Sequence, residues 1–292
     1  MKNDQVILGM DIGGTSIKAA ILKNGELVGK NSILTPAHET QDVILNSIAD
    51  FIATYDSYQF SAIGIGIPGL VDIRNGVVLN LENIPAFRKV GLKGFLEDRF
   101  QKPVYLNNDA NCFTLGEFKF GAATNFQHVV GITLGTGIGT GIIANGHLYT
   151  GIYCGAGEWG GVPYLDKTFE DYCSSKFFRH FHHTKAKSLA KMAATKDPEA
   201  MRIFEEYGRH LGNLIKNLLF ILAPEAIVLG GSIRKAYPFF EKSMKETIQT
   251  FPYPTLSDGL SILISELDDT AIMGAVALIE EAETYAIIKV NA

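Results

Sequence analysis

The sequence predicts an α/β protein of two domains, and three observations predict it. Its 292 residues suffice for two domains of ordinary size. Short apolar strands alternate with helical stretches along the chain, the pattern of sheets covered by helices. One strand–loop–strand–turn unit also occurs twice. Residues 6–10 enter Asp11-Ile12-Gly13-Gly14-Thr15-Ser16-Ile17-Lys18, return through 19–22 and reach Asn24-Gly25. Residues 129–132 enter Thr133-Leu134-Gly135-Thr136-Gly137-Ile138-Gly139-Thr140-Gly141, return through 142–144 and reach Asn145-Gly146. The copies match at an offset of 122 positions that slips by one at the Asn-Gly pair. That dipeptide between apolar runs marks a tight turn joining antiparallel strands.

The elements follow in order. Residues 5–35 carry three short strands. Val43, Ile44, Ile48, Phe51, Ile52 and Tyr55 fall on one stripe of a helix over 41–55. Residues 62–67 form a buried strand that stops at Pro68-Gly69. A helix over 91–100 precedes a strand at 104–106. Asn107-Asn108-Asp109-Ala110-Asn111 then opens a helix running to Phe120. After the second hairpin, 151–163 is irregular. An exposed helix covers 185–196, and a long amphipathic helix spans 199–222, stopped by Pro224. The β-branched run 226–229 enters Gly230-Gly231-Ser232. A helix over 239–250, a strand at 260–264 and a closing helix over 271–282 complete the chain. No low-complexity linker is present, so the lobes should meet through ordered crossovers near 110–125 and 268–280. The first lobe is expected to take 1–115 with 275–292, and the second 116–274.

Hydrophobic residues make up 47% and charged residues 20%, the composition of a globular protein with real cores. Net charge is −5 and no basic stripe stands out, so nucleic acid is not expected as a partner. An acidic chain that holds a polyphosphate must recruit a cation, and Mg²⁺ is the usual solution. Cys112, Cys154 and Cys173 lack metal-ligand spacing, which fits a reducing cytoplasm. No run approaches 18 apolar residues and no signal-like segment precedes residue 6, so a cytoplasmic protein without a membrane partner is expected. Met1 lies ten residues before Asp11, which leaves no room there for a DNA-binding module.

Glycine lets backbone N–H groups approach an anion, because no Cβ intervenes. Two such loops facing across a cleft would grip a polyphosphate from both sides. Asp11, at a strand end, can hold Mg²⁺ or its waters, while Gly13, Gly14 and Thr15 offer N–H groups and a hydroxyl. Lys18 is either a charge beside the nucleotide or a solvated one. Gly135, Thr136 and Gly137 supply the second set of donors. Gly230 and Gly231 either let a base and ribose lie against backbone or form a plain strand-to-helix junction. Asp109 stands at or near a helix N-cap. Either it only caps, or the helix dipole holds it ionised so that it accepts a proton from an attacking hydroxyl. Glu158 and Glu170 border a glycine-rich segment, where carboxylates can accept hydrogen bonds from vicinal sugar hydroxyls or simply be solvated. Trp159 reads as core packing. His180 and His183 share a helical face, but no cysteine or acid completes a metal site.

With these residues in place, the sequence resembles the ROK family (repressor, open reading frame, kinase) of the sugar kinase, Hsp70 and actin superfamily. The resemblance runs from Val6 to Ala282, through residues 11–18, 135–139, 225–232 and 268–275. It implies a two-lobed RNase H-like (actin/hexokinase/Hsp70-type) ATPase fold with a central cleft, using ATP and Mg²⁺. It implies Asp109 as the catalytic base and Gly69, Asn83, Asn108, Glu158 and Glu170 as sugar contacts. Asn83 is placed by Asn83-Ile84-Pro85-Ala86-Phe87-Arg88, similar to the family's Asn-Leu-Pro-Gly-Trp-type loop but with Ala86 and Phe87 in place of Gly-Trp. Relatives are often dimers, so the resemblance also admits a homodimer.

The largest departure concerns zinc. Members commonly carry Glu-x-Gly-His and then Cys-x-Cys-Gly-x-x-Gly-Cys-x-Glu. Here Gly161 stands at the histidine position, the cysteines are gone, and 12 positions separate Glu158 from Glu170. Structural zinc needs four N or S ligands, so a zinc-free chain with added space near the sugar is expected. The expected activity is ATP-dependent phosphorylation of a hexose, glucose at the 6-hydroxyl. The alternatives are a kinase for N-acetylmannosamine, fructose or allose, and a non-catalytic sugar-sensing regulator.

Overall fold

The computed structural model describes residues 5–81 and 83–291; residues 1–4 and 292, parts of the first-lobe range above, lie outside the described residues with Glu82. The chain opens with β1 (Ile7–Ile12), β2 (Ser16–Lys23) and β3 (Glu26–Leu34). β1 and β2 are antiparallel, with Asp11 opposite Lys18. The turn from β2 to β3 takes Asn24 at φ 53° and Gly25 at φ 83°, the left-handed pair that a tight hairpin turn demands. α1 (Gln41–Ala53) starts where the Thr40 side chain accepts the Val43 N–H, and it buries Ile44, Leu45, Ile48 and Ile52. β4 (Ala62–Ile67) is buried along its whole length and runs parallel to β1. β5 (Leu70–Asp72) and β6 (Val77–Asn80) form a small hairpin. α2 (Leu92–Phe100) leads to β7 (Val104–Asn108), parallel to β4, and α3 (Asp109–Phe120) follows at once. The sheet order is β3-β2-β1-β4-β7.

The second half repeats this plan. β8 (Val129–Leu134), β9 (Ile138–Ala144) and β10 (His147–Tyr149) form the meander. A short hairpin, β11 (Pro163–Tyr164) and β12 (Lys167–Thr168), leads into α4 (Phe169–Cys173). α5 (Ala186–Ala194), which buries Leu189 and Ala193, precedes α6 (Pro198–Leu222). Then come β13 (Ala226–Gly230), α7 (Tyr237–Ile248), α8 (Pro254–Asp258), β14 (Ser261–Ile264) and α9 (Thr270–Asn291). The order β10-β9-β8-β13-β14 matches the first sheet strand for strand. β1 and β8 begin 122 positions apart, as do β2 and β9. The one-residue slip falls at the turn, where Asn145 (φ 52°) and Gly146 (φ 76°) again pair two left-handed residues.

Two helices join the sheets. α3 leaves the first sheet and packs on β8 and β9 of the second, while α9 leaves the second and packs on β1 and β4. They cross at small residues: a Cβ on Gly116 would stand 3.1 Å from Gly274 N, and one on Gly274 would run into the Cys112 carbonyl. Backbones this close leave no room for a side chain. α3 carries Asp109 at its start. Among the described residues no helix is long and apolar enough to cross a membrane.

Candidate active site

A cleft of about 890 Å³ opens between the two sheets. Its floor is the junction of β7 and α3. Asn108, rather than Asp109, is the N-cap: its Oδ1 accepts the N–H groups of Ala110 (2.9 Å) and Asn111 (3.3 Å). Its Nδ2 donates to the Gly69 carbonyl at 3.2 Å, which ties the cap to the turn after β4. Asp109 is the first helical residue, and its Oδ1 accepts the Ala110 N–H at 2.9 Å. The helix start does not hold this carboxyl at its ordinary pKa. Loss of solvent pushes its pKa up, and the Ala110 and Asp109 N–H groups offset that only in part.

Asp11, at the end of β1, is half-buried and has a pKa raised to about 6. Desolvation is the main cause, followed by the charge of Asp109; Lys18 opposes both and Asp269 adds to them. Asp269 itself is paired with Lys30 at 2.5 Å. Asp109 in the floor and Asp11 near it are thus two acids whose charges interact, with Lys18 as the counter-charge felt at Asp11. Such a donor set fits a divalent cation arriving with phosphate oxygens, since each charge lowers the cost of the other. Asp11 would hold Mg²⁺ or its waters.

The two glycine-rich loops are held by their own backbones. In the first, Gly13 N donates to Ser16 O at 3.0 Å and Thr35 Oγ1 donates to Gly13 O at 2.6 Å. Gly14 packs on Asn83, so that a Cβ there would stand 2.5 Å from the Asn83 Cβ. In the second, Gly135 N donates to Gly137 O at 3.1 Å, and Ser175 N donates to Gly135 O at 2.8 Å. Glu170 lies over Gly137 and accepts the Ile138 N–H at 3.1 Å.

The cleft wall brings together Gly69, Asn83, Asn108, Asp109, Gly135, Thr136, Gly137, Glu158, Glu170 and Gly231. Asp11, Gly13, Gly14, Thr15 and Lys18 are not on this wall: Asp11 feels the charges of Asp109 and Lys18, and Gly14 packs against Asn83. Gly230 is buried, and the space of its missing side chain is filled by the Phe113 ring. Its neighbour Gly231, at φ 75°, is the one on the wall. Sequence reasoning passed over Lys176, which lines the cleft and pairs with Glu170 at 2.6 Å. The signal was a cation six positions beyond a candidate sugar carboxylate.

At the end of the stretch 151–163, expected to be irregular, a short hairpin comes before the helices. The β11–β12 hairpin is pegged by Tyr164, whose ring stacks on Phe169 at 4.3 Å. The Tyr164 hydroxyl meets Asn213 Nδ2 at 3.0 Å and His210 Nδ1 at 3.1 Å. Asp171 accepts from Thr168 Oγ1 at 2.8 Å and from the Thr168 N–H, closing the start of α4. Gly161 faces open space. Among the described residues, no group of three or more His, Cys, Asp or Glu side chains is placed to hold a metal ion on its own.

Known proteins carry the same design. The ROK family model matches residues 7–282, and the chain belongs to that family. It is 30% identical over 321 residues to the glucokinase of Halalkalibacterium halodurans, covering 96% of this chain and 97% of that one. It is also 30% identical over 250 residues to the xylose repressor of Bacillus spizizenii, covering 80% of this chain and 64% of the repressor. A ROK family glucokinase from Streptomyces griseus, solved in complex with glucose and AMPPNP, has a TM-score of 0.79 at 26% identity, covering 94% of this chain and 98% of that one. The fold is accordingly the two-lobed α/β fold of the actin and hexokinase kind.

Proposed function

We propose that this chain is an ATP-dependent sugar kinase acting on a hexose, with glucose at its 6-hydroxyl as the leading acceptor. The observation that carries the reading is the meeting of Asp109, the second glycine-rich loop, Asn83, Asn108, Glu158 and Glu170 at one cleft, with Gly14 of the first loop packed on Asn83. In this reading 1–115 with 275–292 and 116–274 are lobes that close on bound sugar and exclude water.

Asn83, Asn108, Glu158, Glu170 and the backbone at Gly69 orient the sugar hydroxyls. Asp109 takes the proton of the attacking hydroxyl as its oxygen bonds to the γ-phosphorus and the bond to the ADP oxygen breaks. A carboxylate with a raised pKa is a stronger base for that step. With the Gly13 and Gly135 N–H groups spent inside their own loops, the backbone donors of residues 14–15 and 136–137, with Gly231 beside the adenosine, align the donor; in phosphoryl transfer such positioning and charge neutralisation supply most of the rate. Mg²⁺, held through the phosphates near Asp11, would supply the neutralising charge.

Open space at Gly161 favours a second reading, a kinase for an acceptor shaped unlike glucose, such as N-acetylmannosamine, fructose or allose. Likeness to a xylose repressor keeps a non-catalytic sugar sensor as a third. The purified chain with Mg²⁺-ATP should release ADP when glucose or one of these sugars is added. No ADP above the sugar-free background with any of them refutes the kinase reading, and sugar-dependent DNA binding without turnover favours the sensor.

A further inference from the structure

Glu170 is pinned between two donors. Its Oε2 accepts the Ile138 N–H at 3.1 Å, and its Oε1 takes the Lys176 ammonium at 2.6 Å. An ionised carboxylate offers about four lone-pair directions, so two remain for a ligand, and both Glu170 and Lys176 line the cleft. The turn that carries Lys176 is fixed in its own right. Its backbone N–H donates to Ser174 Oγ at 3.1 Å, and the adjacent Ser175 N–H donates to the Gly135 carbonyl at 2.8 Å. One short segment, α4 with the turn after it, therefore grips the second glycine-rich loop at both ends. Ser175 holds Gly135, and Glu170 holds Ile138.

We propose that Lys176 is a positioning residue for the acceptor. Its ammonium sets the Glu170 carboxylate toward the sugar and, through the Ile138 N–H, links sugar capture to the loop that takes the phosphates. The inference rests on the sugar-kinase reading. Ionised donor–acceptor pairs are the strongest hydrogen bonds and fix orientation as well as charge. With the ammonium gone, Glu170 keeps the Ile138 N–H and regains rotamer freedom. Solvent reaches the pair, whose side chains are 40% and 29% exposed, so the effect is a weakened acceptor site rather than a lost fold.

The test is steady-state kinetics on wild type, Lys176→Met and Lys176→Arg, with the affinity for a non-hydrolysable ATP analogue measured with and without sugar. Lys176→Met should raise the sugar KM about tenfold with kcat changed by no more than about threefold, and Lys176→Arg should restore KM. Sugar should tighten analogue binding less in the Met variant than in wild type, since coupling between two sites is reciprocal. A purely structural ion pair would shift the melting temperature and leave KM and the coupling alone; that result overturns the assignment, as does a Lys176→Arg variant as impaired as Lys176→Met. If Lys176→Met melts early, Lys176→Gln is read in its place. A wild type inert toward every sugar refutes the kinase reading beneath the proposal, an outcome distinct from an active wild type whose variants keep its KM.

Discussion

Replacing Asp11 with Asn should stabilise the ligand-free protein at neutral pH while removing its phosphoryl transfer. The carboxyl's pKa rises from 3.8 to about 6 on folding, mainly because solvent is lost and Asp109 lies near. Each unit corresponds to about 1.4 kcal/mol, so ionising Asp11 costs the folded state up to about 3 kcal/mol. The sign follows from proton linkage. The folded state binds this proton more tightly than the unfolded chain does, so the penalty is full above pH 6. It shrinks as pH falls from about 6 to 3.8 and is absent below that. Asp11 still meets some solvent and an amide also needs partners, so the observed gain should be a fraction of this ceiling. Thermal melts without nucleotide should show Asp11→Asn a few degrees above wild type at pH 7.5. The gap should narrow at pH 5. Mg²⁺-ATP should also narrow it, because the cation offsets the penalty only where the carboxylate is present. An Asn variant no more stable than wild type at pH 7.5, or one whose advantage grows on acidification, would refute the reasoning.

Two further outcomes are expected. Gly274→Ala puts a methyl into the Cys112 carbonyl at the α3–α9 crossing and should lower stability by about 1–3 kcal/mol, read as an earlier melt. Tyr164→Phe removes the hydroxyl shared by Asn213 and His210 and should cost about 1 kcal/mol; because the peg lies next to Glu170, sugar KM should rise while ATP KM stays.

Most of the frame was legible because its signals are local. Glycine-rich loops between apolar runs and two Asn-Gly turns give both meanders, and apolar runs rich in Ile and Val give the parallel strands β4 and β13. The β5–β6 hairpin went unread although Asn75-Gly76, with Gly76 at φ 66°, is the same dipeptide signal. Its flanking strand Leu70–Asp72 is three residues long, too short to show alternation. Chemistry set by distant contacts was not readable. Nothing near Gly230 announces that Phe113 fills its side-chain space, and nothing near Asp109 announces the desolvation that raises its pKa. Asn108 and Asp109 are both good N-cap residues by type. Only the geometry chooses Asn108 as the cap and makes Asp109 the first helical residue. The β11–β12 hairpin rests on Tyr164 reaching α6, a contact between residues 49 positions apart.

The most direct test asks whether a single side chain at the foot of α3 moves the acceptor's proton. Asp109→Asn should bind sugar and ATP analogue with near wild-type affinity by calorimetry while turnover falls by several orders of magnitude. A variant that binds both and still phosphorylates sugar at close to the wild-type rate would contradict the account.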